Sequence, residues 1–201
     1  DFPIYKTDEA LAKEKDSLLK QFQPYFLYDS HVEQANIEKF KRDFAAGLPG
    51  LPATFEAIII DRLHRLYQAG IMGTPNYNNV ASADTTSAVR VIFGKNVESI
   101  LINCVFSTLS AYEQLLDDEA LSNERTAVQR LNLNNYIEPN LIYDKEKSET
   151  ARNDLLSGIS PASGMVMTGQ KIISVGDMVN DYNYRVLNSL EKEMERRSAT
   201  D

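Results

Sequence analysis

The spacing of apolar and polar residues predicts short strands that alternate with amphipathic helices. Residues 2–5 come close to the alternation that is typical of a strand, and Thr7 can cap the helix that follows. Apolar residues recur three and four positions apart in that helix until Pro24 ends it. Residues 25–28 are then extended and aromatic. The chain therefore opens with a predicted strand, helix and strand.

Two further helices are predicted before the middle of the chain. Ser30 and Glu33 have the spacing of a capping box, which predicts the start of a helix. Another helix is predicted between Pro52 and Gly70, because proline suits the first helical turn and glycine the position after the last one. Residues 71–87 are rich in Asn, Thr and Ser, and we predict a loop there.

A β-hairpin is predicted next. Residues 88–93 and 97–106 are its two strands, and a Gly-Lys-Asn turn separates them. Either Ser107 or Thr108 is the expected cap of the following helix. A further short helix is predicted over residues 118–131.

The C-terminal third begins with a predicted strand that leads into a helix. Residues 141–143 are apolar and lie between Pro139-Asn140 and Asp144, which is a suitable helix cap. Pro161 follows that helix, as a residue that ends helices would.

An extended segment and a long helix are predicted to close the chain. Gly169 and Gly176-Asp177 bracket residues 171–175, whose β-branched side chains favour an extended backbone. We predict a turn at Gly176 that needs a positive φ or a close backbone approach. Asn180 can cap the last helix. That helix has apolar residues at spacings of three and four: Tyr184, Leu187, Leu190 and Met194.

These C-terminal residues resemble the extracytoplasmic domain of the seven-transmembrane HD-hydrolase receptors, and the first residues of the chain resemble the start of the same domain in its Bacteroidetes-like versions. The resemblance implies a domain held between a first transmembrane helix and six more, with a cytoplasmic HD phosphohydrolase that cleaves cyclic di-AMP. It also implies a location on the periplasmic side of an inner membrane. The signature positions are Pro139, Asn140, Tyr143, Asp144, Pro161, Gly169, Gly176 and Asp177.

A short internal repeat relates the two ends of the chain. Ile4 and Ile142, each followed by tyrosine, precede polar helices. Pro24 and Pro161 follow the leucine pairs of those helices by the same number of positions. A duplicated strand–helix–strand unit is therefore predicted.

The repeat and the resemblance together predict a helix-rich α+β fold in two parts. Residues 1–47 and 139–201 would form a membrane-proximal module in which both repeats share a small sheet. Residues 48–138 would form an inserted lobe that carries the hairpin. Residues 47–52 and 132–135 are the predicted hinges, and both termini are expected on one face.

Composition excludes several kinds of partner. The 201 residues have a net charge of −8, which argues against binding to nucleic acid or to anionic lipid headgroups. The apolar stretches are too short to span a bilayer. Because the chain lacks a signal peptide and begins at Asp1, we expect an excised part of a longer protein, tethered to the membrane by flanking helices.

Catalytic chemistry is not predicted. No His-Asp dipeptide occurs, so the HD phosphohydrolase site would lie elsewhere in the full-length protein. His31 and His64 lie in separate predicted helices, which predicts no metal site, and no cofactor is predicted. Cys104 has apolar neighbours and is expected to be buried.

Four tyrosines near predicted strand ends or loops are candidates for contact with a ligand or partner: Tyr25, Tyr28, Tyr143 and Tyr182. Tyrosines that merely line the edge of a small core are the alternative interpretation.

We therefore predict a sensory or ligand-binding extracytoplasmic receptor domain. The alternative is an envelope interaction or dimerisation module without a small ligand, and a freestanding enzyme is a third. A concave site with convergent polar groups would favour the sensor, and an exposed apolar patch would favour the interaction module. The predicted partner is thus an extracytoplasmic ligand, an envelope protein or a second copy.

Overall fold

Two separate β-sheets, each in its own compact unit, organise the chain. The computed structural model describes residues 1–47, 51–83 and 87–200. One unit, here called the terminal unit, comprises Asp1–Gln21 and Ala151–Asp201. The other, the central unit, is Phe22–Thr150.

The strands and helices alternate along most of the chain, which gives a helix-rich α+β fold, as predicted. They are, in order, β1 (Phe2–Tyr5), α1 (Asp8–Leu19), β2 (Tyr25–Tyr28), α2 (His31–Ala45), α3 (Thr54–Ala69), β3 (Ile71–Met72), α4 (Thr74–Ser82), β4 (Ala88–Phe93), β5 (Asn96–Leu101), β6 (Phe106–Ser107), α5 (Thr108–Leu116), α6 (Arg125–Arg130), β7 (Leu141–Tyr143), α7 (Lys145–Ser157), β8 (Ala162–Val166) and α8 (Asp181–Ser198).

The central unit contains a six-stranded mixed sheet in the order β5-β4-β2-β7-β3-β6. β2 and β4 are parallel, as are β7, β3 and β6, whereas β2–β7 and β4–β5 are antiparallel. Phe26, Val91 and Leu141 are buried in one cluster that includes the inner face of this sheet. A second cluster lies among the helices and is centred on residues such as Phe40 and Tyr67.

Asn140 ties the sheet to the end of α3. Its side-chain oxygen accepts a hydrogen bond from the Ile71 N–H at 2.8 Å, and its amide group donates to the Tyr67 carbonyl at 2.9 Å. Its backbone N–H donates to the Ile71 carbonyl, and its carbonyl accepts from the Asp29 N–H. The fully buried Asn140 thus satisfies backbone groups that would otherwise be unpaired inside the protein.

Gly70 allows α3 to turn directly into β3. It has a φ of 102°, and a Cβ atom placed there would lie 2.7 Å from Leu141 Cδ1. Both the backbone conformation and the close approach therefore require glycine. The predicted helix end at Gly70 is confirmed.

Three predicted helix caps are also confirmed. Thr7 accepts from the Ala10 N–H, Ser107 caps α5 in a capping box, and Asn180 accepts from the Asn183 N–H. The capping box at Ser30 is wrong, because Ser30 makes no side-chain capping bond. The Asp29 carboxylate accepts the His31 N–H instead, since it reaches the first turn from one position earlier.

The predicted strand–helix–strand repeat is present as β1-α1-β2 and β7-α7-β8, but the predicted shared sheet is wrong. β1 pairs with β8 in a two-stranded antiparallel sheet, whereas β2 pairs with β7 in the six-stranded sheet. The burial of apolar side chains explains why β1 pairs with β8 and β2 with β7. Ile4 and Val166 pack with Val186, while Phe26 and Leu141 join the central cluster.

The boundaries between the two units differ from the predicted ones, which lay after residue 47 and after residue 138. Residues 22–47 and 139–150 belong to the central unit, because β2 and β7 are interior strands of its sheet. Of the predicted hinges, residues 48–50 lie outside the described residues. Residues 132–135 fall within the central unit, where Leu133 and Tyr136 of a 3₁₀ turn are buried. The prediction that both termini lie on one face involves residue 201, which is also outside the described residues.

Several local predictions need correction. Residues 71–87 contain β3 and α4, whose first turn includes Pro75, and residues 84–86 are outside the described residues. The second hairpin strand ends at Leu101, because a 3₁₀ turn follows it. Cys104, in that turn, is exposed. Residues 118–131 form a 3₁₀ turn followed by α6 rather than one helix.

The C-terminal prediction was partly wrong. Residues 171–175 are not a strand, and the strand of this region is the earlier β8, which has β1 as a partner. On α8 the apolar residues Tyr184 and Met194 are exposed. The buried positions of α8 are Val186, Ser189 and Glu193. Among the described residues, no helix combines the length and the apolar character that crossing a bilayer requires.

Candidate ligand-binding cleft

The signature positions of the sequence lie at strand ends, helix caps and turns of the two units. Asp144 caps α7 through the Lys147 N–H, and its own N–H donates to the Tyr25 carbonyl at 2.9 Å. Tyr143 packs on Phe26 with ring centroids 5.6 Å apart. Pro139 precedes Asn140, which links β7 to β3 as described above.

The remaining signature positions lie in the terminal unit. The Pro161 carbonyl accepts the Lys6 N–H at 2.9 Å, next to the β1–β8 pairing. Gly169 and Gly176 have φ values of 81° and 90°, which confirms the predicted turn at Gly176. The Asp177 carboxylate accepts the Ser174 N–H and so closes that turn.

The four candidate tyrosines do not converge on one site. Tyr25 and Tyr28 lie on opposite faces of β2, because they are an odd number of positions apart in a strand. Tyr28 packs against Phe93 with tilted rings, and the Lys147 ammonium lies 5.2 Å from the centre of the Tyr25 ring. Tyr143 belongs to the same central unit, and the exposed Tyr182 belongs to the terminal unit. None of the four lines the cleft described next.

That cleft depends on how α8 is fixed to β1. The Ser189 hydroxyl accepts the Tyr5 N–H at 2.7 Å and donates to the Arg185 carbonyl at 2.8 Å. Ser189 is completely buried, and Val186 packs on Ile4 one turn away. The helix is therefore held against the strand by apolar packing around Val186 and by a hydrogen-bonded hydroxyl, and the Lys192 ammonium also lies over the Tyr5 ring.

Beside this contact the terminal unit has an open cleft of about 420 Å³, within the range of small-molecule sites. The end of β1, the first turn of α1 and one side of α8 form its walls. Its lining residues are Tyr5, Lys6, Thr7, Asp8, Arg185, Asn188, Ser189, Glu191, Lys192 and Glu195.

The cleft contains three cationic and three anionic side chains. Lys6 is paired with Glu14 at 2.9 Å, and the Lys192 ammonium lies 5.2 Å from the centre of the Tyr5 ring. Other polar lining side chains make no hydrogen bond or ion pair with another described residue: Asp8, Arg185, Asn188, Glu191 and Glu195.

These unused groups determine what the cleft can do chemically. A guanidinium binds a carboxylate through two parallel hydrogen bonds, and carboxylates bind an ammonium group. The cleft thus offers both kinds of contact to one small ligand. Across residues 1–47, 51–83 and 87–200, no three His, Cys, Asp or Glu side chains are grouped as metal ligands would be.

A charged cluster lies further along α8. The Glu193 carboxylate accepts from Arg196 at 2.7 Å and from Arg197 at 3.0 Å. The hydrogen bond from Arg196 is the largest cause that lowers the pKa of Glu193 to about 2, with Arg197 adding to it against the effect of burial. The pair of arginines also suits the C-terminal end of a helix.

Sequence reasoning missed this cleft, although a signal was present. Arg185, Asn188, Lys192 and Glu195 recur at spacings of three and four, which places them on one side of a helix. A polar stripe of this kind is also what a solvated helix face looks like. Only the position of α8 against β1 distinguishes the two.

The chain matches the family described as 7TM-HD extracellular (7TMR-HDED) over residues 3–192. No curated protein and no solved structure matches it. The match includes both strand–helix–strand repeats, apart from the first residue of β1, and the first two thirds of α8. The chain therefore belongs to the extracellular domain family of the 7TM-HD receptors and is the extracytoplasmic part of a membrane protein.

Proposed function

We propose that this domain is the sensory part of the receptor and that its polar cleft binds a small zwitterionic ligand, such as an amino acid or a short peptide. The unpartnered charged side chains of the cleft are the observation that carries this proposal. Arg185 would hold the ligand carboxylate, and Asp8 would contribute to holding its ammonium group.

The position of α8 supports a role in signalling. A ligand in the cleft would contact α8 on one side and the β1–α1 connection on the other. Such a ligand favours whichever position of α8 brings both walls to it, so binding shifts the population of two states of the helix. The contacts that join α8 to β1, which are the Ser189 hydrogen bond, the Val186–Ile4 contact and the Lys192–Tyr5 contact, are each modest in free energy, which allows this shift.

The finer features of the proposal rest on the resemblance. The domain would face the periplasm from an inner membrane, in a Bacteroidetes-like receptor, between flanking transmembrane helices. Its bound state would alter cyclic di-AMP hydrolysis by a cytoplasmic HD domain, and the extracytoplasmic domain itself would be non-catalytic.

Calorimetric titration of the 201-residue chain with the common amino acids and their dipeptides tests the ligand class. We expect Arg185→Gln and Asp8→Asn each to raise the Kd of a binding compound at least about tenfold, because each loses a charge-assisted hydrogen bond. Lys15→Gln is the matched control, since Lys15 is exposed on α1 and does not line the cleft. Binding that is unchanged in both cleft variants would refute the assignment of this site.

An interaction module of the cell envelope is the second candidate function. The exposed apolar side chains of Val175, Met178 and Val179, around the Gly176 turn, favour it. Replacing Val175 and Met178 by serine would then abolish capture of an envelope protein and leave small-molecule titrations unchanged. The sensor proposal predicts that these serine substitutions change neither measurement, because Val175 and Met178 do not line the cleft, and that only the cleft variants weaken small-molecule binding.

A further inference from the structure

β5 is the edge strand of the six-stranded sheet in the central unit. It pairs with β4 along its whole length in a regular register, from Phe93↔Asn96 to Ala88↔Leu101. No strand among the described residues pairs with its other side. The residues of β5 are nearly all exposed, and only Ile100 is half-buried.

The hairpin geometry decides which backbone groups of β5 point away from β4. Phe93 pairs with Asn96 across the Gly94-Lys95 turn, and the residues that flank such a turn form a hydrogen-bonded pair. Hydrogen-bonded pairs then recur at every second residue of the hairpin. The Ile102 N–H, which donates to the Ser87 carbonyl at 2.7 Å, fits this alternation. Even-numbered residues of β5 therefore bond to β4. The residues whose N–H and C=O groups face outward are Val97, Ser99 and Leu101.

This edge lacks the usual protection against pairing. Edge strands of monomeric proteins carry lysines, prolines or β-bulges that prevent the addition of another strand. β5 has no proline, no lysine and no bulge, and its one charged residue is Glu98. The strand is thus a regular template for another strand.

An exposed apolar row leads to the same edge. The strand registers align Ile142 of β7, Leu27 of β2, Ile92 of β4 and Val97 of β5 on one face of the sheet. Ile142 and Leu27 are each 43% exposed and Val97 is 44% exposed. Ile92, between Leu27 and Val97, is half-buried. An apolar row that leads across four strands to an open edge is typical of an interaction surface.

We propose that two copies of the chain pair antiparallel through β5 and form one continuous sheet across a two-fold axis. In such a pair, side chains on one face of the sheet lie beside side chains on the same face of the second copy. The outward N–H and C=O groups of one β5 must also bond to those of the other. The register centred on Ser99 fulfils both conditions. It places Ser99 opposite Ser99 of the second copy and Val97 opposite Leu101 of the second copy.

Charge and packing favour this register over the one that lies one step nearer the hairpin turn. A shift by one step towards the hairpin turn would place Glu98 opposite Glu98 of the second copy, and like charges directly opposite are destabilising. In the register centred on Ser99, Glu98 faces Ile100 of the second copy. The exposed Val97 and Leu101 then form two apolar cross-strand pairs, one on each side of the axis. A self-complementary surface of this kind is what a two-fold dimer needs.

Sedimentation of the 201-residue chain over a range of concentrations tests the dimer. Ser99→Pro removes an outward N–H that the hairpin does not use, so the hairpin remains while pairing is blocked. We expect Ser99→Pro to raise the dimer dissociation constant at least about tenfold, and Ser99→Thr, which keeps the N–H, to leave the dimer intact. A monomeric wild-type chain, or a folded Ser99→Pro variant that dimerises as well as wild type, would overturn the proposal.

Cross-linking tests the register without relying on proline. In a Cys104→Ser background, Ser99→Cys would place two thiols across the axis at a Cα separation of about 5.5 Å, which a disulfide can bridge. We expect this variant to form a covalent dimer on mild oxidation and Glu98→Cys to form far less. Equal cross-linking of both variants would contradict the register. These experiments do not involve the cleft, so their outcome is independent of the ligand proposal.

Discussion

At the scale of single residues, Tyr67 shows how buried polar groups are satisfied in the central unit. Its hydroxyl donates to the Tyr136 carbonyl at 2.5 Å and accepts the Glu138 N–H at 3.1 Å. Tyr136 in turn donates to the Asp43 carboxylate, and Asn36 bonds to the Glu138 side chain. One phenol thus serves two backbone groups, the buried carbonyl of Tyr136 and the N–H of Glu138.

Tyr67→Phe keeps the shape of the side chain and removes both hydrogen bonds. We expect the free energy of unfolding to fall by about 1–3 kcal/mol, because the buried Tyr136 carbonyl and the Glu138 N–H lose their partner. Urea denaturation measures this change. Tyr184→Phe is the control, since Tyr184 is exposed, and it should alter stability by less than about 0.5 kcal/mol. Equal losses in the two variants would contradict the role of the Tyr67 hydroxyl.

The same residue predicts an alkaline limit to stability. Burial raises the pKa of Tyr67 to about 12, from an ordinary value of about 10. Its stabilising contribution is therefore complete below pH ~10 and is lost as pH rises towards ~12, because the unfolded chain ionises first. Unfolding experiments at several pH values should show a smaller alkaline decline in Tyr67→Phe than in wild type. Parallel curves for the two proteins would exclude this contribution.

At the scale of elements, the C-terminal end of α8 depends on an acid-sensitive cluster. The pKa of Glu193 is lowered to about 2 by its hydrogen bonds from Arg196 and Arg197. Because this pKa is lower in the folded state, ionised Glu193 stabilises the folded state at pH values above about 4.3, the ordinary pKa of a glutamate. That contribution is lost as pH falls towards about 2.

We expect amide hydrogen exchange in the last turns of α8 to accelerate over this pH range, after correction for the intrinsic pH dependence of exchange. Glu193→Gln should remove the pH dependence and give the faster exchange at neutral pH as well. The matched substitution Glu191→Gln affects a carboxylate without an arginine partner, and its exchange profile should follow wild type.

The turn between β8 and α8 gives a second test at this scale. Gly176 has a φ of 90° and nothing within 4 Å of where a Cβ would lie, so the backbone conformation alone requires glycine. We expect Gly176→Val to cost on the order of 1–3 kcal/mol in strain and to lower the Tm. Gly158→Ala, at a position without a positive φ, should change the Tm little. An unchanged Tm in Gly176→Val would contradict the turn.

At the scale of the whole molecule, most helix caps were predictable, with Ser30 as the exception, and the pairing of distant strands was not. Thr7, Ser107 and Asn180 act through atoms within three residues, so their sequence context suffices to predict the caps. β3 is only two residues long and leaves no period to detect. The partner of β1 depends on burial between distant segments, for which the sequence offers only a general apolar pattern.

The candidate site shows the same limit. The charged residues of α8 have the periodicity of any solvated helix face, and the cleft exists only because α8 lies against β1. The tyrosines predicted to be candidates are scattered, because strand ends collect aromatic residues for packing as well as for binding.

Each strand of the first repeat pairs with a strand of the second, β1 with β8 and β2 with β7. This pairing has a consequence for the order in which the two units fold during synthesis. The central unit is one continuous stretch of chain and can fold as soon as β7 has been synthesised. The terminal unit joins the first residues to the last, since Tyr5 and Ser189 are 184 positions apart, so closing it carries a large loop-entropy cost in an otherwise unfolded chain. Folding of the central unit first shortens that loop. The cleft would then be the last feature to form, after α8 has been made.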